Sequence, residues 1–456
     1  MDLCVQTQYG VVKGYLENGI AKFHGIPYAK PPVGQQRFCL PERPIPWLKT
    51  LDTVRRGYIA PQFPSDLDKP MGAVTLPMDE NCLTLSVSTP SLEGNLPVAV
   101  WLHGGANCYG GGDLPWYDGA SLARREEIVE VNINFRLGIF GFLCVEGVLD
   151  RALAIEDQLL ALRWVQENIS RFGGDPGRVT LFGQSAGGNA IAHILSREDS
   201  KGLFQQIVLQ SPSLGRGNHR LEDAWEVGRA VLDNLGIPPE CPDKLVRLQS
   251  RSVEALLAAA GNIPEELKSR YQGMCFKPVK DDWHTPEQTA RRAAEMAARR
   301  RLRVMLGFTR DEIRAFFSDG RPASPAAIRE QRLRYELPGR TFAQAAADGG
   351  CEVWRYEFDW AAPGSVYGAC HCLELPFLFG NLTSWSAPFL AGGDMKEMER
   401  LRDTIQDAWG HFFRGETIDN WPPYTSEKKT IKFFDNQTNP VGTEPLYERE
   451  FLANRI

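Results

Sequence analysis

One short stretch constrains this chain more than any other. In Leu181-Phe182-Gly183-Gln184-Ser185-Ala186-Gly187-Gly188, the pattern Gly-x-Ser-x-Gly sits where one periodicity gives way to another. Before it, Arg178-Val179-Thr180-Leu181-Phe182 has the β-branched and apolar make-up of a short buried strand. After it, Ala190-Ile191-Ala192-His193-Ile194-Leu195 suits a helix. A serine between a strand and a helix must occupy a sharp turn, and glycines on both sides remove the Cβ atoms that would block it. Five residues of this kind are a weak signal on their own, because Gly and Ser are common. The strand before and the helix after make Ser185 a candidate nucleophile.

The rest of the chain reads as a scaffold of the same kind. Short β-like runs with turns fill the first hundred residues, as in antiparallel strands at the start of a sheet. Leu96-Pro97-Val98-Ala99-Val100-Trp101-Leu102 is continuously apolar, as in a strand covered on both faces. Further strands are expected at 128–134, 204–211, 304–307 and 352–358, with helices over 154–169 and 397–413. Strands alternating with helices imply right-handed crossovers and a mainly parallel α/β sheet. Residues from about 220 to 300 are nearly all helical in pattern, a plausible lid inserted between core strands. No repeat or linker divides the chain, so one domain over 1–456 is expected.

Composition narrows the function. At 456 residues with 43% hydrophobic and 24% charged content, a large core is available. The net charge of −6 is spread out and no basic run suggests nucleic acid; Arg299-Arg300-Arg301 reads as a solvated helix end. Met1-Asp2-Leu3-Cys4 does not read as a signal peptide, and no run approaches the length of a membrane span. Ten scattered cysteines lack a framework spacing, so a reduced, cytoplasmic protein is expected. Cys370-His371-Cys372 packs its donors too tightly in sequence to wrap one tetrahedral ion, and no metal or other cofactor is expected.

Two further elements would complete a nucleophilic site. His103-Gly104-Gly105-Ala106-Asn107-Cys108-Tyr109-Gly110-Gly111-Gly112 follows the apolar strand; no Gly-Lys-Ser/Thr follows to make it a phosphate loop. Its bare backbone N–H groups suit a ligand oxygen instead. A serine also needs a histidine to take its proton and a carboxylate to hold the imidazole, in the chain order Ser, acid, His. His284, His371 and His411 follow at a useful distance. His371 lies in a loop bounded by glycine and proline, His411 within an amphipathic helix, and His284 just before a helix. Asp311 and Glu312 follow the strand 304–307 at its carboxyl end, where ligand sites of open α/β sheets collect. Helix capping would explain that acidic pair equally well.

These motifs together resemble the type B carboxylesterase family. The matching runs include Phe23 to Pro32, Asp79 to Leu83, Trp101 to Gly105, Asn134 to Gly138, Glu156-Asp157-Gln158, Phe172 to Pro176, Gly183 to Gly187, Gly307 to Glu312, and His371 with Glu374-Leu375-Pro376. The resemblance implies an α/β-hydrolase fold: a mostly parallel central sheet with helices on both faces and a helical lid insertion. It implies hydrolysis of a small-molecule carboxylic ester through an acyl-enzyme, with Ser185 as nucleophile, Glu312 as acid and His371 as base. It places the oxyanion hole at the amides of Gly105, Ala106 and Ala186, and substrate contacts at Gly104, Asn107 and Gln184. Neither nucleic acid nor membrane is an implied partner, and a monomer or homodimer is expected.

The chain departs from the family pattern in ways that bear on specificity. Gln184 stands where the family usually has Glu, which removes one negative charge beside the site and predicts neutral rather than cationic esters. Ala106 replaces a glycine but keeps its N–H, while Asn107 replaces a frequent aromatic and brings a polar group toward the acyl pocket. Cys82 lacks the expected partner near Ala60-Pro61-Gln62-Phe63, so a free buried thiol is expected. Segments after Pro278 and before His371 are compressed. Two other readings share these motifs: an acyltransferase or cyclase using the same triad, and a non-catalytic binding module of the same fold. The presence of all three triad residues argues against the module.

Overall fold

The computed structural model describes residues 3–280, 282–317, 323–435 and 440–444; Met1 and Asp2, read above for a leader, lie outside them. The described strands are β1 (Leu3–Gln6), β2 (Val11–Glu17), β3 (Ile20–Pro27), β4 (Leu51–Asp52), β5 (Thr84–Thr89), β6 (Leu96–Leu102) and β7 (Val129–Ile133). They continue with β8 (Gly174–Gln184), β9 (Gln206–Gln210), β10 (Arg303–Thr309), β11 (Val353–Phe358), β12 (Thr430–Phe434) and β13 (Val441–Thr443). One sheet joins them in the order β1-β2-β3-β5-β7-β6-β8-β9-β10-β11-β12-β13, with β4 on β2. From β7 to β12 every neighbouring pair is parallel, and the antiparallel pairs lie at the two ends. The elbow strand β8 is therefore central, flanked by β6 and β9.

The period-2 pattern of the central strands explains why helices cover both faces. Along β6, Val98, Val100 and Leu102 enter one core while Ala99 and Trp101 enter the other; in β8, Leu181 and Phe182 divide in the same way. The first core takes apolar faces of the helices Leu153–Asn168 and Ala186–Leu195. The second takes Leu375–Phe379 and Met395–Phe413, and is unusually aromatic: Trp101, Phe182 and Phe379 touch one another, and Phe413 packs on Phe182.

Between β9 and β10 the chain forms the helices Leu221–Asn234, Lys244–Gln249, Val253–Gly261, Glu265–Arg270 and Pro286–Arg299. The last differs from the lid expected of this region. Its face of Ala290, Ala293, Ala294 and Ala297 is fully buried beside the helices Ala186–Leu195 and Leu337–Asp348, so it belongs to the layer that covers the sheet. Small side chains allow that close approach. All ten cysteines are unpaired, and Cys82 is fully buried.

Candidate active site

The elbow has the backbone its sequence demands. Ser185 follows β8 directly and adopts φ 55° and ψ −120°, and the helix Ala186–Leu195 starts at the next residue. A non-glycine residue in this region costs on the order of 1–3 kcal/mol, so the surroundings must enforce it. Two contacts do so: Ser185 N–H donates to the Gln210 carbonyl at 2.8 Å, and Asn189 N–H donates to the Ser185 carbonyl at 3.1 Å. Gly187 is needed for close approach, because a Cβ there would lie 2.0 Å from the Leu102 carbonyl oxygen. The strand end of β6 and the first helical turn can meet only without that side chain.

His371 and Glu312 are fully buried, and His371 Nδ1 pairs with Glu312 Oε2 in a short contact. The other carboxylate oxygen of Glu312 accepts Thr309 N–H at 2.9 Å. With the Nδ1 proton held by the carboxylate, Nε2 carries the lone pair and is the basic face of the ring. That nitrogen lies 3.1 Å from the side-chain Nε2 of Gln184, whose amide donates to it. The imidazole thus reaches the elbow one residue before Ser185, and the described hydrogen bonds include none between it and the serine hydroxyl. The rings of Tyr335 and Phe316 pack on the imidazole at 5.2 and 5.7 Å.

The residues alone leave Asp311 and Glu312 as equal candidates and the family resemblance points to Glu312; the turn after β10 gives the two carboxylates different partners. Asp311 Oδ2 accepts Ala369 N–H at 2.9 Å, and Asp311 N–H donates to the Ala369 carbonyl at 2.9 Å. Asp311 thereby fixes the loop two residues before His371, while Glu312 faces the imidazole. His284 and His411 are elsewhere: His284 precedes the helix Pro286–Arg299, and His411 lies in Met395–Phe413, where it pairs with Glu416 at 2.9 Å.

The glycine loop is braced by residues that lie in the matching motifs but to which motif reading gives no role. Burial holds the His103 imidazole down at about 4, so the ring is neutral, and its Nδ1–H donates to the Gly104 carbonyl at 2.7 Å. Phe135 stacks on that ring at 4.5 Å. Asn134 Oδ1 accepts Gly112 N–H at 2.7 Å. Asn134, Phe135 and Arg136 are consecutive, and Arg136 is fixed by a buried bidentate pair with Asp157 at 2.6 and 2.8 Å. The matching runs Asn134 to Gly138 and Glu156-Asp157-Gln158 thus support the loop. Gly105 and Ala106 both have positive φ, 108° and 52°, and the Gly105 carbonyl is turned to Cys108 and Tyr109 N–H. No loop or cap hydrogen bond among the described residues uses the N–H of Gly105, Ala106 or Ala186. They remain available to an external acceptor.

Of the expected substrate contacts, Gly104 and Gln184 line a cleft of about 110 Å³, with Met71, Leu114, Trp116 and Tyr117 among its walls. Asn107 is turned elsewhere: its Nδ2 donates to the Phe276 carbonyl at 3.0 Å and ties the glycine loop to the segment after the small helices. A polar side chain buried to this degree needs such a partner. Cys370 and Cys372 flank His371 with thiols that burial pushes up. Among the described residues no group of His, Cys, Asp and Glu is arranged to hold a metal ion, and no helix is long and apolar enough to cross a membrane.

Comparison with known proteins gives a consistent picture. Residues 1–337 match the model of the family described as the carboxylesterase family. The chain is 38% identical to para-nitrobenzyl esterase of Bacillus subtilis, covering 98% of this chain and 97% of that one. It is 36% identical to a probable N-octanoylanthranilate hydrolase of Rhodococcus erythropolis, covering 95% and 98%. Among solved structures, a thermophilic para-nitrobenzyl esterase superposes with a TM-score of 0.85 at 35% identity over 99% of both chains. A Geobacillus stearothermophilus carboxylesterase gives 0.82 at 31% identity, again over 99% of each.

Proposed function

Because the chain belongs to the carboxylesterase family, α/β-hydrolases that cleave carboxylic esters of small molecules, we propose that Ser185 is its nucleophile, His371 its general base and Glu312 the carboxylate that orients the imidazole. The observation that supports this assignment most is the buried His371–Glu312 pair, whose free ring nitrogen reaches the elbow at Gln184. For attack, Nε2 exchanges the Gln184 amide for the Ser185 hydroxyl. The serine proton passes to Nε2 as the Oγ–carbon bond forms, and the carbonyl electron pair moves onto oxygen. The amides of Gly105, Ala106 and Ala186 then receive the oxyanion, each worth roughly 2.7–4 kcal/mol of barrier lowering. Collapse breaks the ester C–O bond and His371 gives its proton to the leaving alcohol; water, deprotonated by the same nitrogen, releases the acid.

Gln184 and the apolar cleft beside it favour esters that carry no positive charge. In the same reading residues 1–456 form one hydrolase unit with the small helices as its cover, acting as a monomer or homodimer. The ten unpaired cysteines support a cytoplasmic setting. Turnover of 4-nitrophenyl butyrate tests the assignment: Ser185→Ala and Glu312→Gln should each lose at least about a thousandfold in kcat while melting like the parent. Parent-like turnover by Ser185→Ala would remove the nucleophile.

A further inference from the structure

Hydrolysis as described leaves a group of cations beside His371 unused. The Arg334 guanidinium lies over the rings of Phe316 and Tyr335, at 4.9 and 5.0 Å, the same two rings that pack on the imidazole. No acidic side chain among the described residues pairs with it, and its buried Nε has no hydrogen-bond partner. Arg216 stands nearby with its side chain 8% exposed. Its Nη1 donates to the Gln272 carbonyl at 3.0 Å and to the Gln272 side-chain oxygen, and its Nη2 is 3.3 Å from Glu330 Oε1, but its Nε is buried and unpartnered. Tyr335, 1% exposed, buries a hydroxyl with no partner, within electrostatic reach of Arg334 and Arg216. Lys277 adds a third cation, donating to the Arg216 carbonyl at 3.1 Å.

The backbone brings these charges together by design of the sequence. Arg216 follows β9, the neighbour of the elbow strand, and Arg334 lies in the widened helical turn Arg332–Glu336. A Cβ on Gly215 would lie 2.0 Å from the Leu333 carbonyl oxygen and 2.6 Å from Arg334 Cα, so only glycine lets the two segments touch. The two arginines then line a single open hollow of about 950 Å³ with Gly215, Gln272, Glu330 and Leu333. Their mutual repulsion is visible: burial and the Arg334 charge hold Arg216 down at about 10, and burial with the Arg216 charge holds Lys277 at about 8. Half-exposed Glu330 is a weak counterweight to three cations. Arg334 has no acidic partner among the described residues and Arg216 only the half-exposed Glu330; partly desolvated guanidinium groups so weakly compensated are costly unless a further anion joins them, and Arg presents its donors in the geometry that a carboxylate accepts.

We propose that Arg216 and Arg334 form a subsite for a carboxylate carried by the substrate, so that the enzyme prefers anionic esters, in particular half-esters of dicarboxylic acids whose alcohol part is apolar. The proposal rests on the assignment of Ser185 as nucleophile. The cleft bordered by Gly104 and Gln184 and the arginine hollow share no lining residue; what joins the hollow to the base is the ring pair Phe316 and Tyr335, which packs on His371 and carries Arg334, so the carboxylate is expected on the Arg334 side of those rings and the apolar part in the cleft. A neutral residue at 184 fits this division, since a carboxylate there would repel the anion from the nucleophile.

The test compares monobenzyl adipate with benzyl hexanoate, esters of equal chain length that differ by the carboxylate. In the unaltered enzyme kcat/KM should favour the anionic ester by about tenfold or more at low salt, and the ratio should shrink as salt rises. Arg334→Met and Arg216→Met should each cut the ratio by about tenfold, and Arg334→Lys should keep most of it. The ratio within each variant is its own control for loss of general activity. Where a variant fails to fold, the ratio in the unaltered enzyme and its salt dependence decide. Equal or better turnover of benzyl hexanoate, or a ratio unmoved in both methionine variants, would overturn the subsite. If neither ester is turned over, the hydrolase assignment is what fails, and calorimetry on Ser185→Ala decides the subsite: monobenzyl adipate should bind at least about tenfold tighter than benzyl hexanoate, and equal binding overturns it.

Discussion

The side-chain amide of Gln184 stands 3.1 Å from Nε2 of His371, although the two residues are 187 positions apart in the chain. With Nδ1 committed to Glu312, that nitrogen is the only basic site on the ring. Gln184 and its neighbour Ser185 therefore compete for one acceptor, and the residue before the nucleophile influences how available the base is.

Gln184→Glu should make this influence visible. A carboxylate at this distance favours the imidazolium, so the base form appears only at higher pH. The acidic limb of kcat/KM should move upward by about 1 pH unit or more, while Gln184→Ala, which adds no charge, should leave it nearly in place. Profiles from about pH 5 to about 9 measure this, and a limb unmoved in Gln184→Glu would show that residue 184 does not sense the ring.

Asp311 acts through the loop, so its removal should look different from removal of Glu312. Asp311→Ala loses the Oδ2 contact to Ala369 N–H and loosens the approach to His371. We expect kcat to fall by about tenfold with KM little changed, against a far larger loss in Glu312→Gln. Equal losses would mean that both carboxylates act on the imidazole.

Glu374 gives a stability prediction with a definite sign. Burial, and next the nearby Glu312 charge, raise its carboxyl from the ordinary 4.5 to about 8. A raised folded-state value means that its contribution is fully present below about 4.5 and is lost as pH rises through about 8. Glu374→Gln has no such group, while Glu357, also raised to about 8, is common to both proteins and cancels. The melting temperature of the variant should therefore gain on that of the parent between about pH 5 and about pH 8. A difference that stays constant with pH would contradict a neutral Glu374 in the folded protein.

Much of the site was legible because its signals are local. The elbow needs glycine at 187 for a close approach and a change of period on either side, and both are written within twenty residues of Ser185. The alternating cores of β6 and β8 follow from period-2 runs in the same way. Choosing Glu312 over Asp311 was not possible from residues alone, since adjacent carboxylates after one strand differ only in how the turn aims them. The role of Asn134 and Arg136 in holding the glycine loop was hidden because each acts through a partner distant in sequence, Gly112 and Asp157, and that of His103 because Phe135, which stacks on its ring, is distant too. The partner of Asn107 was hidden for the same reason: Phe276, which takes its amide, is 169 positions away. Likewise, nothing near Arg216 in the chain announces Arg334, and only the packing of Gly215 on the Leu333–Arg334 backbone joins them.

The most direct test of the account is covalent. A fluorophosphonate should add once per chain, at the Ser185 oxygen, as read by intact mass and by the peptide that carries the adduct. Ser185→Ala should take up none, and turnover of 4-nitrophenyl butyrate should vanish in step with labelling. An adduct on a different serine, or equal labelling of Ser185→Ala, would contradict the assignment of the nucleophile and the site built around it.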